Sequence, residues 1–566
     1  MESPRKVLPK DLGEILVEAK IITEEKLQRI KELQAKDGSK IERILLQERL
    51  ITPPQLAFFT SLQLRVPFVN LKKEGVRPNA VAAIPEPIAR KYSVIPIDVT
   101  ETTLVVAMED PRDIEALEEL AALTRKRIEP VLSTSQDIQE MIDLNYRIGG
   151  EIEEQLSQIP TRYQKVRVAE KRVSAEAIAQ APVVRAIDLL IKQGVRDRAS
   201  DIHVEPQEDR LRIRYRIDGI LHEVMSLPLS VHPPLLSRVK IMAGLNIAER
   251  RRPQDGQITF DMGDRAVDLR VATTGTVYGE MVVLRILDKS FAFLPLAELG
   301  FLPDVLEKYL RMVKTPFGMI LISGPTGSGK TTTQYATVNQ LDAVGRNIIT
   351  IEDPVEYRFN NINQIQVNPA AGLTFASGLR ATMRLDPNVI LVGEIRDAET
   401  AQISTQASLT GHLVLSSIHA NDAVSTIFRM IDLGVEPYLL TSALVGIVAQ
   451  RMVRRVCHYC SRPTKVLPDE QLAYEQEMNE NRSEFLVGTG CNFCAGTGYL
   501  GRTGIYEVLV MRESIRRLVL GGGDSDAIRV EAKKEGMISL WHDGMLKVKE
   551  GVTTPHEVIR NVFSIG

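Results

Sequence analysis

The stretch GPTGSGKT, residues 324–331, constrains this chain more than any other. It follows the apolar run MILIS and precedes TTTQYATVNQLDAV, the strand, loop, helix order that a phosphate-binding loop needs. Gly324, Gly327 and Gly329, with Pro325, Thr326 and Ser328 between them, let the backbone curl so that its N–H groups face phosphate oxygens. Lys330 can then reach the β and γ oxygens and Thr331 can ligate Mg2+, with Thr332 next to them. The expected ligand is a nucleoside triphosphate. Acids after two further apolar strands point to its hydrolysis. NVILVGEIRD carries Glu394, and TIEDPVEY carries Glu352, Asp353 and Glu356. One carboxylate orienting Mg2+ through water and another accepting the water proton is the arrangement such a reaction requires. LTGHLVLSSIHANDA adds His412 and His419, where an imidazole can sense the γ-phosphate.

Length and composition exclude several classes. The chain has 566 residues, which suggests about four domains. A formal net charge of -3 argues against a protein that coats nucleic acid. The clusters Arg250, Arg251, Arg252 and Arg451, Arg454, Arg455 are read as solvated or paired, so no nucleic acid is expected as substrate. The opening residues MESPRKVLPKDLGEILVEAK hold no apolar run of signal-peptide type, and Tyr438 to Ala449 falls short of the roughly 20 residues a bilayer span needs. That segment is expected to be a buried helix, and the protein cytoplasmic. The four cysteines form two C-x-x-C pairs, Cys457 with Cys460 and Cys491 with Cys494. This spacing predicts a structural Zn2+ site of four thiolates rather than a redox pair.

The organisation follows from pattern. DLGEILVEAKIITEEKLQRIKELQ aligns with KIERILLQERLITPPQLAFFTSLQ at an offset of 29, matching Leu16 with Leu45 and Ile22 with Ile51. Thr23 before Glu24 and Thr52 before Pro53 read as helix starts. Each copy is expected to be a helical pair, followed by paired strands in IPIDVTETTLVVAMED. The expected domains are an N-terminal helical and α+β module over 1–146, a polar linker over 147–175, an α+β domain over 176–290, a connector over 291–301, and a parallel-sheet nucleotide-binding domain over 302–566 that includes a zinc lobe at 457–494. In the α+β domain, alternation on both sides of Asp218-Gly219 predicts a hairpin with a type I′ turn, and AVDLRVATT and MVVLRIL a second strand pair.

The ordered segments GPTGSGKT, TIEDPVEY, VILVGEIRDAET and TGHLVLSSIHAND resemble the Walker A, Asp-box, atypical Walker B and His-box of the secretion ATPase superfamily, in its type II secretion and type IV pilus assembly branch. ASDIHVEP, RYRIDG and RRRPQDGQ resemble that family's preceding domain, so the likeness covers about 175–566. The resemblance implies a multidomain α/β chain with a RecA-like ATPase core and a preceding PAS-like α+β domain. It further implies a homohexamer that hydrolyses ATP to drive pilin or pseudopilin assembly through an inner-membrane platform protein. By motif position it makes Arg270 and Arg285 the arginine contributors, and Glu394, Glu356, Glu352 and His419 the groups around Mg2+ and water. Zinc at the cysteines is a feature of the family's assembly ATPases, so it implies extension rather than retraction. The N-terminal repeat resembles a tandem cyclic-di-GMP module, but Lys20 stands at a glycine position and the second copy opens Lys40-Ile41-Glu42, with Arg49 later. Without those glycine and arginine contacts, docking to the platform is the expected role. A nucleic-acid-translocating motor and a second-messenger-regulated switch are the alternatives.

Overall fold

The computed structural model describes residues 12–146 and 181–562, except 38–40, 42–43, 46–49, 65, 72–75, 82, 264, 288–293 and 342. The expected linker at 147–175, part of the expected 291–301 connector, and Lys40, Glu42 and Arg49 lie outside the described residues. The chain divides into two compact units, one of residues 1–154 with 489–498 and one of 155–488 with 499–566.

In the N-terminal unit the repeat builds one core. Helices Leu12–Glu18, Glu24–Asp37 and Pro53–Leu64 are present. Equivalent positions of the two copies are buried together: Leu12 with Ile41, Leu16 with Leu45, and Ile22 with Ile51. Each such side chain contributes roughly 1.5–3 kcal/mol when fully buried, which is why neither copy can dispense with the other. Thr52 and Gln55 close the start of the third helix, the Thr52 amide donating to Gln55 Oε1 at 2.9 Å. Lys20 takes a left-handed backbone with φ of 58°, so the conformation that glycine favours is kept without the glycine. The α/β part follows as expected. β1 (Val94–Val99) and β2 (Thr103–Met108) pair antiparallel, and β3 (Arg127–Leu132) adds in parallel after the helix Ile114–Thr124.

The larger unit begins with a helix, Ala181–Arg196, that packs on a six-stranded antiparallel sheet of order β6-β5-β4-β9-β8-β7. Its strands are β4 (Ala199–Pro206), β5 (Arg210–Ile217), β6 (Ile220–Pro228), β7 (Gln254–Asp261), β8 (Ala266–Thr276) and β9 (Gly279–Leu287). Alternating burial along β5 marks a sheet with one covered face. Asp218 and Gly219 both have positive φ, 48° and 89°, as a type I′ turn demands.

The second sheet has seven strands in the order β12-β11-β13-β14-β10-β15-β18. These are β10 (Gly318–Ser323), β11 (Ile348–Glu352), β12 (Asn363–Gln366), β13 (Val389–Val392), β14 (Leu413–Ile418), β15 (Leu444–Val456) and β18 (Tyr499–Val510), with the two-stranded β16 (Ser461–Thr464) and β17 (Phe485–Gly488) apart from it. All neighbours are parallel except β15 with β18. β10, β11, β13 and β14 are buried along their whole length, as strands covered on both faces must be. The expected helix over 438–449 is corrected: a short helix, Pro437–Ala443, gives way to β15 at Leu444. Gly446 lets β15 and β18 approach closely, since a Cβ there would lie 2.5 Å from the Leu509 carbonyl of β18. Among the described residues no helix is long and apolar enough to cross a membrane.

Candidate nucleotide site

Parallel strands bring their carboxyl ends to one edge, and the predicted site residues sit on that edge. The loop 324–329 leaves β10 with Gly324, Gly327 and Gly329 all at positive φ, and the helix Lys330–Asn339 begins directly after it. A Cβ at Gly324 would come within 2.5 Å of the Gln450 carbonyl, so only glycine fits there. Lys330 Nζ donates back to the carbonyls of Gly324 at 2.7 Å and Pro325 at 3.0 Å. Burial, reinforced by the nearby Arg451 charge and opposed by Glu394, pushes its pKa down to about 8. A cavity of about 460 Å3 opens over the loop, with Glu352, Asp353, Glu356, Glu394 and His419 on its walls.

The three glutamates differ in what holds them. Glu352, the last residue of β11, is buried; it accepts from the hydroxyls of Tyr335 and of Thr350 (2.6 Å) and from Gln364 Nε2 at 3.1 Å. Tyr335 OH also accepts from the Glu356 amide at 3.2 Å, tying the helix after the loop to the Asp-box. Glu394 lies two residues beyond β13, paired with Arg396 and 3.6 Å from His419 Nε2. Burial and the Lys330 charge lower the His419 pKa, with Glu394 opposing them. Glu356 forms an ion pair with Arg270 of β8 at 2.8 Å. That contact brings the α+β domain to the Asp-box, beside a further cavity of about 550 Å3.

Two expected residues are placed elsewhere. Arg285 is directly opposite Arg270 in the β8–β9 register, but it pairs with Asp201 at 3.0 Å and does not line the nucleotide cavity. His412 precedes β14 whereas His419 follows it, and a strand of that length separates its ends by about 20 Å. His412 instead contacts the Ala407 carbonyl at 2.9 Å. Sequence reasoning missed Arg396 and Arg502, which both line the cavity. Arg502 belongs to the GRTG segment at the start of β18, next to Gly501, whose amide donates to Asp218 at 3.0 Å. An arginine between glycines in a strand was its only sequence signal.

Of the two C-x-x-C pairs, Cys457 and Cys460 belong to the larger unit, and Cys491 and Cys494 to the N-terminal one. Cys491 and Cys494 have their sulfurs 3.7 Å apart, close to the edge of a tetrahedron with Zn–S bonds of about 2.3 Å. The amides of Cys491 and Gly498 donate to Cys494 Sγ at 3.1 and 3.2 Å, contacts that favour a thiolate. This donor set fits zinc. At the nucleotide edge, the Thr331 hydroxyl and the carboxylates of Glu394 and Glu356 offer oxygen donors to one cavity, which fits Mg2+.

Comparison with known proteins agrees with this geometry. The family model described as type II/IV secretion system protein matches residues 176–560, and the MshEN domain model matches 64–152, wholly beyond the repeat. The chain is 40% identical over 561 residues to the type IV pilus assembly ATPase PilB of Myxococcus xanthus, covering 97% of this chain and 98% of that one. It is 38% identical over 556 residues to type II secretion system protein E of Xanthomonas campestris, covering 97% of each. Over 380 residues it is 48% identical to the type II secretion system protein HxcR of Pseudomonas aeruginosa, covering 67% of this chain and 77% of that one. The chain therefore belongs to the type II/IV secretion system protein family as one of its ATPases.

Proposed function

We propose that this chain is the subunit of a homohexameric motor that hydrolyses ATP to drive assembly of type IV pili or of a type II secretion pseudopilus. It acts at the cytoplasmic face of the inner membrane through a platform protein. The observation that carries the reading is the single cavity walled by the phosphate loop, Glu394, His419 and the Asp-box, with Arg270 of the preceding domain on Glu356.

In this reading the loop amides and Lys330 hold the β and γ phosphates, and Thr331 with Glu394 holds Mg2+, which supplies charge neutralisation at the transferring phosphoryl group. Glu394 and Glu356 orient and deprotonate the attacking water. His419 donates toward the γ-phosphate. Glu352 has its oxygens occupied by Tyr335, Thr350 and Gln364, so its part is to hold the Asp-box in place. The Arg270–Glu356 pair links hydrolysis to movement of the α+β domain: when Arg270 turns to the γ-phosphate the pair opens, and it closes again after phosphate leaves. Arg285 stands next to it as a second arginine for the same role. Cys457, Cys460, Cys491 and Cys494 bind structural Zn2+, the feature that favours assembly over retraction.

Lys330→Ala tests the reading: ATP turnover and nucleotide binding are both lost, and turnover at the unmutated rate refutes it. DNA-stimulated turnover with a steep salt dependence would instead indicate a nucleic-acid translocase. A second reading is favoured by the MshEN match: the N-terminal unit takes a cyclic dinucleotide such as cyclic-di-GMP. Calorimetry of the full chain with that ligand decides it, a flat titration leaving the platform-docking role.

A further inference from the structure

His419 is useful to a γ-phosphate only if the short segment after β14 holds it still. That segment, His419 to Asp422, leads into the helix Ala423–Asp432, whose N-cap is Asp422, accepting from the Ser425 amide at 2.6 Å. Its other anchors come from far along the chain. Arg451 on β15 donates to the Asn421 carbonyl at 3.2 Å. Glu507 on β18 accepts from the Ala423 amide at 2.8 Å, and Arg529 donates to Asp422 at 3.1 Å. Gln450, next to Arg451, donates to the Ser328 carbonyl at 2.7 Å. The antiparallel β15–β18 ribbon therefore grips both the phosphate loop and the His-box segment, with Ala449 opposite Glu507 and Arg451 opposite Ile505.

Glu507 is an expensive residue for that position. It is 5% exposed, and its second oxygen receives only the Leu540 amide, at 3.4 Å. Arg529 pairs with Asp422 and Asp526. A carboxylate buried on two amides costs more than an apolar side chain of the same size would. What it supplies is a strong, directional acceptor at the first amide of a helix, where the helix dipole also favours negative charge.

We propose that Glu507 and Arg451 are positioning residues for hydrolysis, a buried clamp on the His-box segment that sets His419 against the γ-phosphate. The proposal rests on His419 acting there. Glu507 does not line the nucleotide cavity and acts only through the segment it holds.

The test is steady-state Mg-ATP hydrolysis by the full chain, in single and double variants. Glu507→Ala should lower kcat about 10-fold while KM changes less than about 2-fold, since misplacing a group by a fraction of an ångström acts on the transition state. Glu507→Gln should recover most of the rate, because an amide oxygen still accepts from Ala423. In the His419→Ala background Glu507→Ala should add nothing, because the clamp has no imidazole left to place. A full multiplicative loss in the double variant, or wild-type kcat in a folded Glu507→Ala, overturns the clamp. Wild-type kcat in His419→Ala alone overturns the role of His419 and the clamp with it, whereas a Lys330→Ala enzyme that still turns over refutes the ATPase site as a whole. If Glu507→Ala does not fold, Arg451→Gln takes its place, with the same kcat loss and the same absence of further effect on His419→Ala expected.

Discussion

Glu352 and Glu394 end adjacent strands of one sheet, face one cavity, and read alike in sequence. Their surroundings separate them. Glu352 receives three side-chain donors and is buried, whereas Glu394 has one exposed arginine and the His419 imidazole near it. A carboxylate whose lone pairs are filled by protein donors is a brace, and one left with open lone pairs can take water or a metal ion. Glu507 is a third case, as buried as Glu352 but filled by backbone amides rather than side chains.

The largest effect should come from Glu394→Gln. ATP still binds within a few-fold, while kcat falls about 1,000-fold, the scale of a lost general base or water-orienting carboxylate. Single-turnover hydrolysis beside equilibrium nucleotide binding measures both. If Glu352→Gln loses as much rate with binding intact, the distinction between the two acids is wrong.

Glu352→Ala should act on stability instead. It strands the hydroxyls of Tyr335 and Thr350 and the amide of Gln364, and should cost about 3 kcal/mol. Denaturant unfolding reads this directly, with kcat per folded molecule staying within about 10-fold. Unchanged stability would mean that those donors find water and that Glu352 braces nothing.

Glu507 sharpens the comparison through pH. Burial, with Asp422 adding to it and the Ala423 amide opposing, pushes its carboxyl pKa up to about 7. A folded-state pKa above the unfolded value means that the stability from this group is complete below about pH 4.5 and is lost as pH rises through 7. Glu507→Gln removes the penalty, so at pH 8 it should be about 2 kcal/mol more stable than the parent, the gain shrinking toward pH 5. Urea unfolding at both pH values tests this, and a gain that does not depend on pH refutes it.

The smallest effect concerns Lys330, with its pKa of about 8. Phosphate should raise that pKa, so ATP binding at pH 8 takes up about half a proton and weakens as pH climbs further. Calorimetry in buffers of different ionisation enthalpy measures the uptake. Zero uptake would mean that Lys330 is already fully charged in the free protein.

Much of this was legible in the chain because it is local. GPTGSGKT carries its own strand and helix, Asp218-Gly219 its own turn, and the repeat pairs Leu16 with Leu45 at a constant offset. Tyr438 to Ala449 was not legible. A run apolar on every side has no period to distinguish a helix from a strand covered on both faces, and the choice fell to pairing with β10 and β18 on either side. The C-x-x-C spacing predicted paired sulfurs, and those of Cys491 and Cys494 are 3.7 Å apart.

Sequence order alone thus placed the phosphate loop, the acids and the His-box on successive strand ends, since each of those motifs is defined by a few neighbouring residues. It could not say which acid would be filled and which left open. Tyr335 and Gln364 close Glu352 from a helix and a neighbouring strand, Arg270 reaches Glu356 from 86 positions away, and Ala423 meets Glu507 across 84. Only the folded sheet brings such donors within hydrogen-bond distance, and the number of donors at a carboxylate decides what chemistry is left to it.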